Sequence, residues 1–193
     1  MGRKIHLGVE ELFNKSFVVD FKSLQRVVNH RGESSYTRLL VSNLIKQGKI
    51  RRIGKGLYTR HDESTLAVFA YQPAYLGLQS ALSHNGLWEQ ETIPVIITTR
   101  KVRRGIREVL GTNVLIRNID RKHFFGFEHD KEGEFYLPYS DVEKTVIDMV
   151  AYNQSMDGEV VRRAKKAIDK DKLERYLQHY SSRVGERVRK LLS

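Results

Sequence analysis

The chain contains no cysteine and only three prolines among its 193 residues. The lack of cysteine excludes disulfide bonds and thiolate metal sites, and it is typical of proteins in a reducing compartment. No run approaches the roughly 18 consecutive apolar residues that a membrane-spanning helix needs. The N-terminal sequence also lacks the apolar core of a secretory signal. We therefore expect a cytoplasmic protein with no membrane partner.

Positive charge is present in excess. The formal net charge is +11 and the pI is near 9.8, which predicts an anionic partner. Residues 1–60 hold 13 Lys or Arg against 4 Asp or Glu, residues 61–161 hold 10 against 15, and residues 162–193 hold 11 against 4. A basic head and a basic tail therefore flank an acidic middle. The length suits one or two domains, each with a sizeable core.

The most informative stretch, residues 34–59, predicts a helix followed by a basic hairpin. At a 3.6-residue period, one broad face of the helix carries Tyr36, Leu40, Val41, Leu44 and Ile45. We expect this face to pack against a core. Gly48 stands where a helix often ends at a glycine. Residues 49–53 then alternate like a half-buried strand, residues 54–56 predict a turn, and residues 57–59 supply the returning strand. This layout is typical of a DNA-recognition helix and its wing.

The preceding residues predict the rest of a helix-turn-helix. Residues 5–19 favour a helix followed by a short strand. Asp20 is a candidate N-cap for a second helix over residues 21–29. Residues 30–33 would form the turn before the recognition helix.

The second half predicts a mixed arrangement of helices and strands. In order, the predicted elements are a helix over residues 75–87, strands over residues 93–99 and 114–119, and two further strands on either side of a turn at residues 129–133. Ser140 and Glu143 have the spacing of a capping box, which favours a helix that ends near residue 149 or 152. From residue 157 onward the sequence is basic and has helical periodicity.

The fold class expected from these elements is α+β. We predict a winged helix-turn-helix domain over residues 1–62, a mixed α/β domain over residues 63–153 and a basic helical tail over residues 154–193. The apolar stripe of the tail could pair with a second copy of the chain, or it could pack back on its own domain. Helix-turn-helix proteins often bind DNA as dimers, so a homodimer is one expectation.

Three sequence motifs point to a family. They are IRRIGKGLYT at residues 50–59, PAYLGLQSALSHNGLWEQETIPVIITTRKVRR at residues 73–104 and YLPYSDVEKTVIDMV at residues 136–150. Together they resemble the AbiEi-type antitoxins, which regulate abortive-infection toxin–antitoxin systems. The resemblance spans roughly residues 20–152. It implies a winged helix that binds its own promoter and a C-terminal domain needed for antitoxin activity. It also implies a nucleotidyltransferase-like toxin that is opposed without a stable complex.

The candidate DNA contacts follow from the shape of the duplex, whose major groove admits an α-helix. The candidates on the helix are Ser34, Ser35, Arg38, Ser42 and Lys46. The candidates on the hairpin are Arg51, Arg52 and Lys55. Arg38 suits a bidentate contact with guanine, and Lys46 suits a phosphate. The hairpin cations would lie over the backbone or an adjacent minor groove. The alternative is that these side chains are only a solvated surface.

A second basic patch occurs within the acidic middle. Its members are Arg100, Lys101, Arg103, Arg104 and Arg107. The patch could bind nucleic acid, a tRNA-like substrate shared with the toxin, or the flank of a DNA site, or it could be a solvated loop. The sequence does not distinguish these alternatives.

The remaining polar residues form no catalytic or metal-binding motif. His84, His123 and His129 lack the spacing of zinc ligands. The sequence also contains no glycine-rich phosphate-binding loop and no nucleophile elbow. A carboxylate cluster around Glu132 and Glu134 could be imagined in a nuclease, but no lysine stands two residues after Glu134.

We therefore expect a DNA-binding autorepressor with antitoxin activity, with no cofactor and no catalytic residues. A stand-alone winged-helix regulator with a dimerising or sensory C-terminal domain is the alternative. A nucleic-acid enzyme is the third possibility.

Overall fold

The computed structural model describes residues 2–28, 34–90 and 92–193, so the predicted turn at residues 30–33 lies outside the described residues. The helices are α1 (Gly2–Lys15), α2 (Phe21–Val28), α3 (Ser34–Lys46), α4 (Gln79–His84), α5 (Val142–Ala151), α6 (Gly158–Ala167), α7 (Lys170–Leu177) and α8 (Ser182–Leu192), with 3₁₀ segments at Ser64–Tyr71 and Arg121–His123. The strands are β1 (Val19–Asp20), β2 (Arg51–Gly54), β3 (Leu57–Thr59), β4 (Ala74–Leu76), β5 (Val95–Thr98), β6 (Gly105–Val109), β7 (Thr112–Asn118), β8 (Phe127–Glu132) and β9 (Phe135–Ser140).

The predicted α+β class is confirmed, and the chain forms two compact units. The first comprises Met1–Ala70 with Glu108–Thr112, and the second comprises Tyr71–Arg107 with Asn113–Ser193. Among the described residues, no helix is both long enough and apolar enough to cross a membrane.

The first unit combines α1, α2 and α3 with an antiparallel sheet of order β1-β3-β2. The predicted N-cap at Asp20 is confirmed, since its Oδ1 accepts a hydrogen bond from the Ser23 backbone N–H at 2.9 Å. This bond satisfies one of the amides that a helix N-terminus leaves unpaired. The start of α2 is thereby set at the end of β1.

A mixed sheet of order β6-β7-β5-β4-β9-β8 forms the framework of the second unit, apart from Glu108–Thr112 at the end of β6 and the start of β7. Strand β5 pairs in parallel with β7 and antiparallel with β4, and β4 pairs in parallel with β9. All four residues of β5 are buried. A strand covered on both faces reads as a continuous apolar run, which is why Val95–Thr98 is recognisable in the sequence.

Two predicted boundaries in this sheet are wrong. The helix expected over residues 75–87 is confined to α4, because Ala74–Leu76 is a strand in which Leu76 pairs with Ile96 and Tyr139. The turn expected at residues 129–133 is also misplaced. His129 to Glu132 continue β8, and the chain reverses at Gly133, whose φ is +58°. Both errors arise because a short segment takes its structure from its strand partners.

The predicted capping box at Ser140 and Glu143 is wrong as well. The N-cap of α5 is Asp141, whose side chain accepts from the Lys144 backbone N–H at 2.8 Å. Ser140 belongs to β9, and its Oγ is bonded to the Thr145 hydroxyl at 2.8 Å. Buried Glu143 instead accepts from the Asp169 backbone N–H at 2.8 Å. Its carboxylate is therefore a tertiary contact to the start of α7.

The basic C-terminal helices belong to the core of the second unit. The buried residues that α6, α7 and α8 contribute to this core are Val160, Ala164, Leu173, Leu177, Gly185 and Val188. All of these except Gly185 join a cluster that includes Val146, Ile147 and Val150 of α5. Of the two alternatives for the apolar stripe of the tail, the structure shows packing within the chain.

A buried ion pair lies at the centre of the second unit. Lys144 and Asp148, one turn apart on α5, are bonded to each other and are both essentially inaccessible to solvent. Tyr75 donates from its hydroxyl to Asp148 Oδ2 at 2.7 Å and accepts from Lys144 Nζ at 3.0 Å. Tyr180 donates to Asp148 Oδ1 at 3.2 Å. The network thus joins β4, α5 and the segment between α7 and α8.

Burial is compensated by hydrogen bonds throughout this network. Desolvation lowers the pKa of Lys144, and the nearby charge of Asp148 opposes that change.

Gly126 (φ +69°) lies so close to this network that a Cβ at this position would be 2.8 Å from Tyr176 and 2.9 Å from Lys144. A glycine is therefore required at this position both by its backbone conformation and by space.

We predict that Asp148→Ala lowers the free energy of unfolding by about 3–5 kcal/mol, because it leaves Lys144 as an uncompensated buried charge. Urea denaturation followed by circular dichroism measures the change. The double variant Lys144→Met/Asp148→Leu removes both charges together and should recover much of the lost stability. A cost below about 1 kcal/mol for Asp148→Ala would contradict this view of the network.

We predict that Asp20→Ala destabilises the first unit by about 1 kcal/mol at neutral pH, the usual cost of losing an N-cap. The hydrogen bond from the Ser23 backbone lowers the pKa of Asp20 in the folded state. Its contribution is therefore fully present above the unfolded pKa of about 3.9 and is lost as the pH falls through the lower folded pKa. Asp20→Asn, which keeps an acceptor without a charge, should retain most of the stability and lose this pH dependence. Equal stability of Asp20→Ala and the parent at pH 7 would contradict the prediction.

Candidate nucleic-acid interface

A narrow stripe of α3 packs inward. The buried residues are Thr37, Leu40, Val41 and Leu44, which follow the i, i+3, i+4, i+7 spacing of a helix face. The broader apolar face expected from the sequence is wrong at both margins. Tyr36 and Ile45 are 45% and 39% exposed. The core of the first unit is small, so it covers only this narrow stripe and leaves the residues on either side of it partly exposed.

The side of α3 opposite this stripe is polar except at one position. Ser35, Leu39, Ser42 and Lys46 are exposed there, as the 3.6-residue period requires once the buried stripe is known. Exposed Arg38 flanks these residues on one side and exposed Asn43 on the other. Ser34 is the first residue of the helix and is only half-buried.

Sequence reasoning missed Leu39 and Asn43. Leu39 is 58% exposed, whereas an apolar residue in the middle of a helix is usually assigned to a core. The 3.6-residue period already carried the signal, because Leu39 lies four residues after Ser35 and three before Ser42 and therefore shares their outward face.

The end of α3 directs the chain into the hairpin. Gly48 has a φ of +69°, which confirms the predicted C-terminal glycine. Its backbone N–H donates to Ile45 O at 2.9 Å, and that of Lys49 donates to Leu44 O at 3.0 Å. These bonds form a Schellman motif, which satisfies carbonyls at the helix end. Ile50 then enters the core, so helix and hairpin are held by one set of apolar contacts.

The hairpin is short and irregular. Arg51 pairs with Thr59 and Arg52 with Tyr58, and the register shifts before Gly54 pairs with Leu57. The backbone carbonyl of Gly56, in the turn, accepts from the Phe21 N–H at 2.8 Å. This bond ties the turn to the start of α2. Tyr58 is buried in the core.

The basic side chains of α3 and the hairpin are exposed. No ion pair with a described carboxylate involves Arg38, Lys46, Arg52 or Lys55. Arg51 differs, because its Nε lies 2.8 Å from Asp62 Oδ1, with both side chains on the surface. An exposed ion pair contributes little stability, so a phosphate can replace Asp62 as the partner of Arg51.

The second basic patch lies in the second unit, mostly in the loop between β5 and β6. Arg100, Lys101, Arg103 and Arg104 are exposed. Arg107 is half-buried within β6, and its guanidinium donates to the carbonyls of Ile106 and Arg103 at 2.9 and 3.1 Å. Arg107 therefore stabilises the loop by binding its backbone.

The residues considered for metal or nuclease chemistry are dispersed among other contacts. Glu132 accepts a hydrogen bond from Tyr139, and His84 lies 3.3 Å from Asp130. The ring of His123 stacks on Tyr180, with centroids 4.1 Å apart. In the part of the chain that the structure describes, no group of three or more His, Asp or Glu side chains could hold a metal ion.

Comparisons with known proteins relate the chain to a solved fold. No protein-family model matches it, and no curated protein matches it in sequence. The crystal structure of the Rv2827c protein from Mycobacterium tuberculosis is similar, with a TM-score of 0.65 and 14% sequence identity over 96% of this chain and 74% of that chain. At this level of identity the likeness establishes a common fold and nothing further.

Proposed function

We propose that residues 1–62 are a winged helix-turn-helix that binds double-stranded DNA, and that the protein is a cytoplasmic autorepressor acting as the antitoxin of a toxin–antitoxin pair. One observation carries the DNA-binding part. The outward polar face of α3 leads, through the motif at Gly48, directly into an exposed basic hairpin on the same core. Helix and hairpin therefore present their cations from one rigid body.

The outward face of α3 suits the major groove. Ser35 and Ser42 can donate to or accept from base edges, and Asn43 can pair with adenine. Leu39 offers an apolar surface to a thymine methyl group. Arg38, at the side of this face, can reach either a guanine edge or a phosphate.

The hairpin and the end of α3 suit the phosphate backbone. Lys46, Arg52 and Lys55 are exposed cations without a described acidic partner. Arg51 can exchange Asp62 for a phosphate. Neutralising phosphates releases counterions, so affinity should fall steeply as salt concentration rises. The concentration of positive charge in residues 1–60 supports this role.

The antitoxin part of the proposal rests on the resemblance of the three motifs to the AbiEi-type family. The toxin would be a nucleotidyltransferase-like protein encoded next to this chain, opposed without a stable complex. We propose that the protein acts by binding rather than by catalysis. A stand-alone regulator with a dimerising or sensory second unit remains the alternative.

The DNA-binding proposal predicts that Arg38→Ala/Arg51→Ala abolishes binding to the chain's own promoter. Removing a base contact costs about 1–3 kcal/mol, and removing a phosphate contact lowers the salt slope by about one. Fluorescence anisotropy over a salt series measures both quantities. Asp62→Asn, which frees Arg51, should strengthen binding to any duplex and steepen the salt slope.

A matched control is Lys165→Ala/Lys166→Ala, which removes the same number of charges from exposed positions on α6. It should bind the promoter almost as well as the parent. If the Arg38/Arg51 variant remains folded by circular dichroism and binds normally, the proposed interface is wrong. Equal losses of affinity in both double variants would show that net charge, rather than α3 and the hairpin, governs binding.

The antitoxin proposal predicts that the neighbouring gene stops growth when expressed alone and that co-expression of this chain restores growth. The Arg38/Arg51 variant, expressed from a foreign promoter, should still restore growth if promoter binding and toxin antagonism are separate. A harmless neighbour, or failure of the parent chain to restore growth, would favour the stand-alone regulator.

A further inference from the structure

Two basic segments meet at one edge of the larger sheet. Strands β5 and β7 are parallel neighbours, paired from Val95 with Leu115 to Thr98 with Asn118. Parallel strands end at the same edge of a sheet, which is where ligands commonly bind in folds that contain them. The basic run 100–104 follows β5, and the segment Arg121–His123 follows β7. Segments well separated in sequence are thereby brought together.

These segments border a cleft of about 1700 Å³ within the second unit. The cations along it include Lys101, Arg103, Arg104, Arg121 and Lys122. None of these five side chains forms an ion pair with a described carboxylate. The cleft is also lined by the end of α5 and by residues around the start of α8.

The acidic groups in the cleft do not cancel this charge. Asp120 and Asp148 line it. Asp148 is already bonded to Lys144 and accepts from both Tyr75 and Tyr180. The negative charge of Asp148 is therefore balanced by Lys144 within the protein. Of the two carboxylates, this leaves Asp120 to oppose the five cations. The cleft retains a positive potential, which concentrates anions.

Aromatic side chains lie among the cations. Tyr180 and His123 both line the cleft, and their rings stack at 4.1 Å with an interplanar angle of 5°. Phe124 and Tyr152 also line it, and the Tyr152 hydroxyl is held by Asn118 O at 2.7 Å. Half-buried rings in a basic groove are the combination that binds single strands, since phosphates meet the cations and bases stack on the rings.

The size of the cleft and its composition favour one class of ligand. Small-molecule pockets usually measure about 300–1,000 Å³, so this cleft has room for several linked nucleotides. Inorganic phosphate would make no use of the aromatic groups. A duplex has its bases stacked on each other and offers none to the rings.

We propose that this cleft binds a single-stranded segment of nucleic acid. Its phosphates follow residues 100–104 and Arg121–His123, and a base stacks on the His123–Tyr180 pair. This site belongs to the second unit and is additional to the duplex-binding surface proposed for the first.

The test uses the full chain with labelled RNA and DNA single strands of about 12 nucleotides, a length within the range of known single-strand sites. Both are measured by fluorescence anisotropy over a salt series that includes about 0.1 M salt. Arg103→Ala/Arg104→Ala/Lys122→Ala should weaken binding at least about tenfold and reduce the salt slope by about 0.7 for each phosphate that is no longer neutralised. Tighter binding of RNA than of DNA would identify RNA as the source of the ligand.

Three control variants separate binding in the cleft from a general effect of charge and from binding by the first unit. Arg103→Lys/Arg104→Lys keeps the charge and should keep most of the affinity. Lys165→Ala/Lys166→Ala/Lys170→Ala removes equal charge from exposed positions outside the cleft and should bind the strand like the parent. Arg38→Ala/Arg51→Ala should lose the promoter duplex and keep the single strand, so the two proposals can fail independently.

The proposal is overturned if neither strand binds the parent chain, or if the Lys165/Lys166/Lys170 variant loses as much affinity as the cleft variant. It is also overturned if the folded cleft variant loses promoter duplex and single strand in parallel, because the cleft would then belong to the duplex interface. Circular dichroism and thermal denaturation of each variant confirm that the comparison is made between folded proteins.

Discussion

The second unit depends on one buried pair of opposite charges. Lys144 and Asp148 are held away from water on α5, where either charge alone would be strongly unfavourable. Tyr75 from the sheet is bonded to both side chains, and Tyr180 from the segment between α7 and α8 donates to Asp148. The pair therefore specifies how three parts of the chain must meet. Gly126, the residue before β8, packs closely against Lys144, so the start of β8 also lies beside the ion pair.

This network also forms one side of the basic cleft. Asp148 and Tyr180 face the cleft while they are bonded within the protein, so that side is held in place before any ligand arrives. The charge available to a ligand comes instead from exposed side chains on the two basic segments. In the first unit, a small apolar core rather than an ion pair holds α3 and the hairpin together, and their cations are exposed. If both proposals hold, one chain carries a duplex-binding surface and a single-strand-binding surface in separate compact units.

Much of the first unit could be predicted locally. The Asp20 cap and the end of α3 at Gly48 are predicted and confirmed, because each depends on residues near it in sequence or on a strong preference of one residue type. The packed face of α3 is predicted less well. The 3.6-residue period gives the spacing of a face, but the size of the core decides which residues at its margins are covered. Periodicity alone therefore assigns Tyr36 and Ile45 inward, whereas both side chains are more than a third exposed.

The sequence by itself determined the α+β class, the uneven charge, the position of α3 and most of the strands. These properties follow from composition, apolar period and residue preference, which act over short distances. Only the tertiary structure decided that Glu143 would bond to the start of α7 rather than cap its own helix. It alone decided that Lys144 and Asp148 would be buried together. It also placed residues 100–104 and Arg121–His123 at the same edge of the sheet, because β5 and β7 pair in parallel. Such pairings are chosen by long-range packing, and no local pattern encodes which distant segment will be the partner.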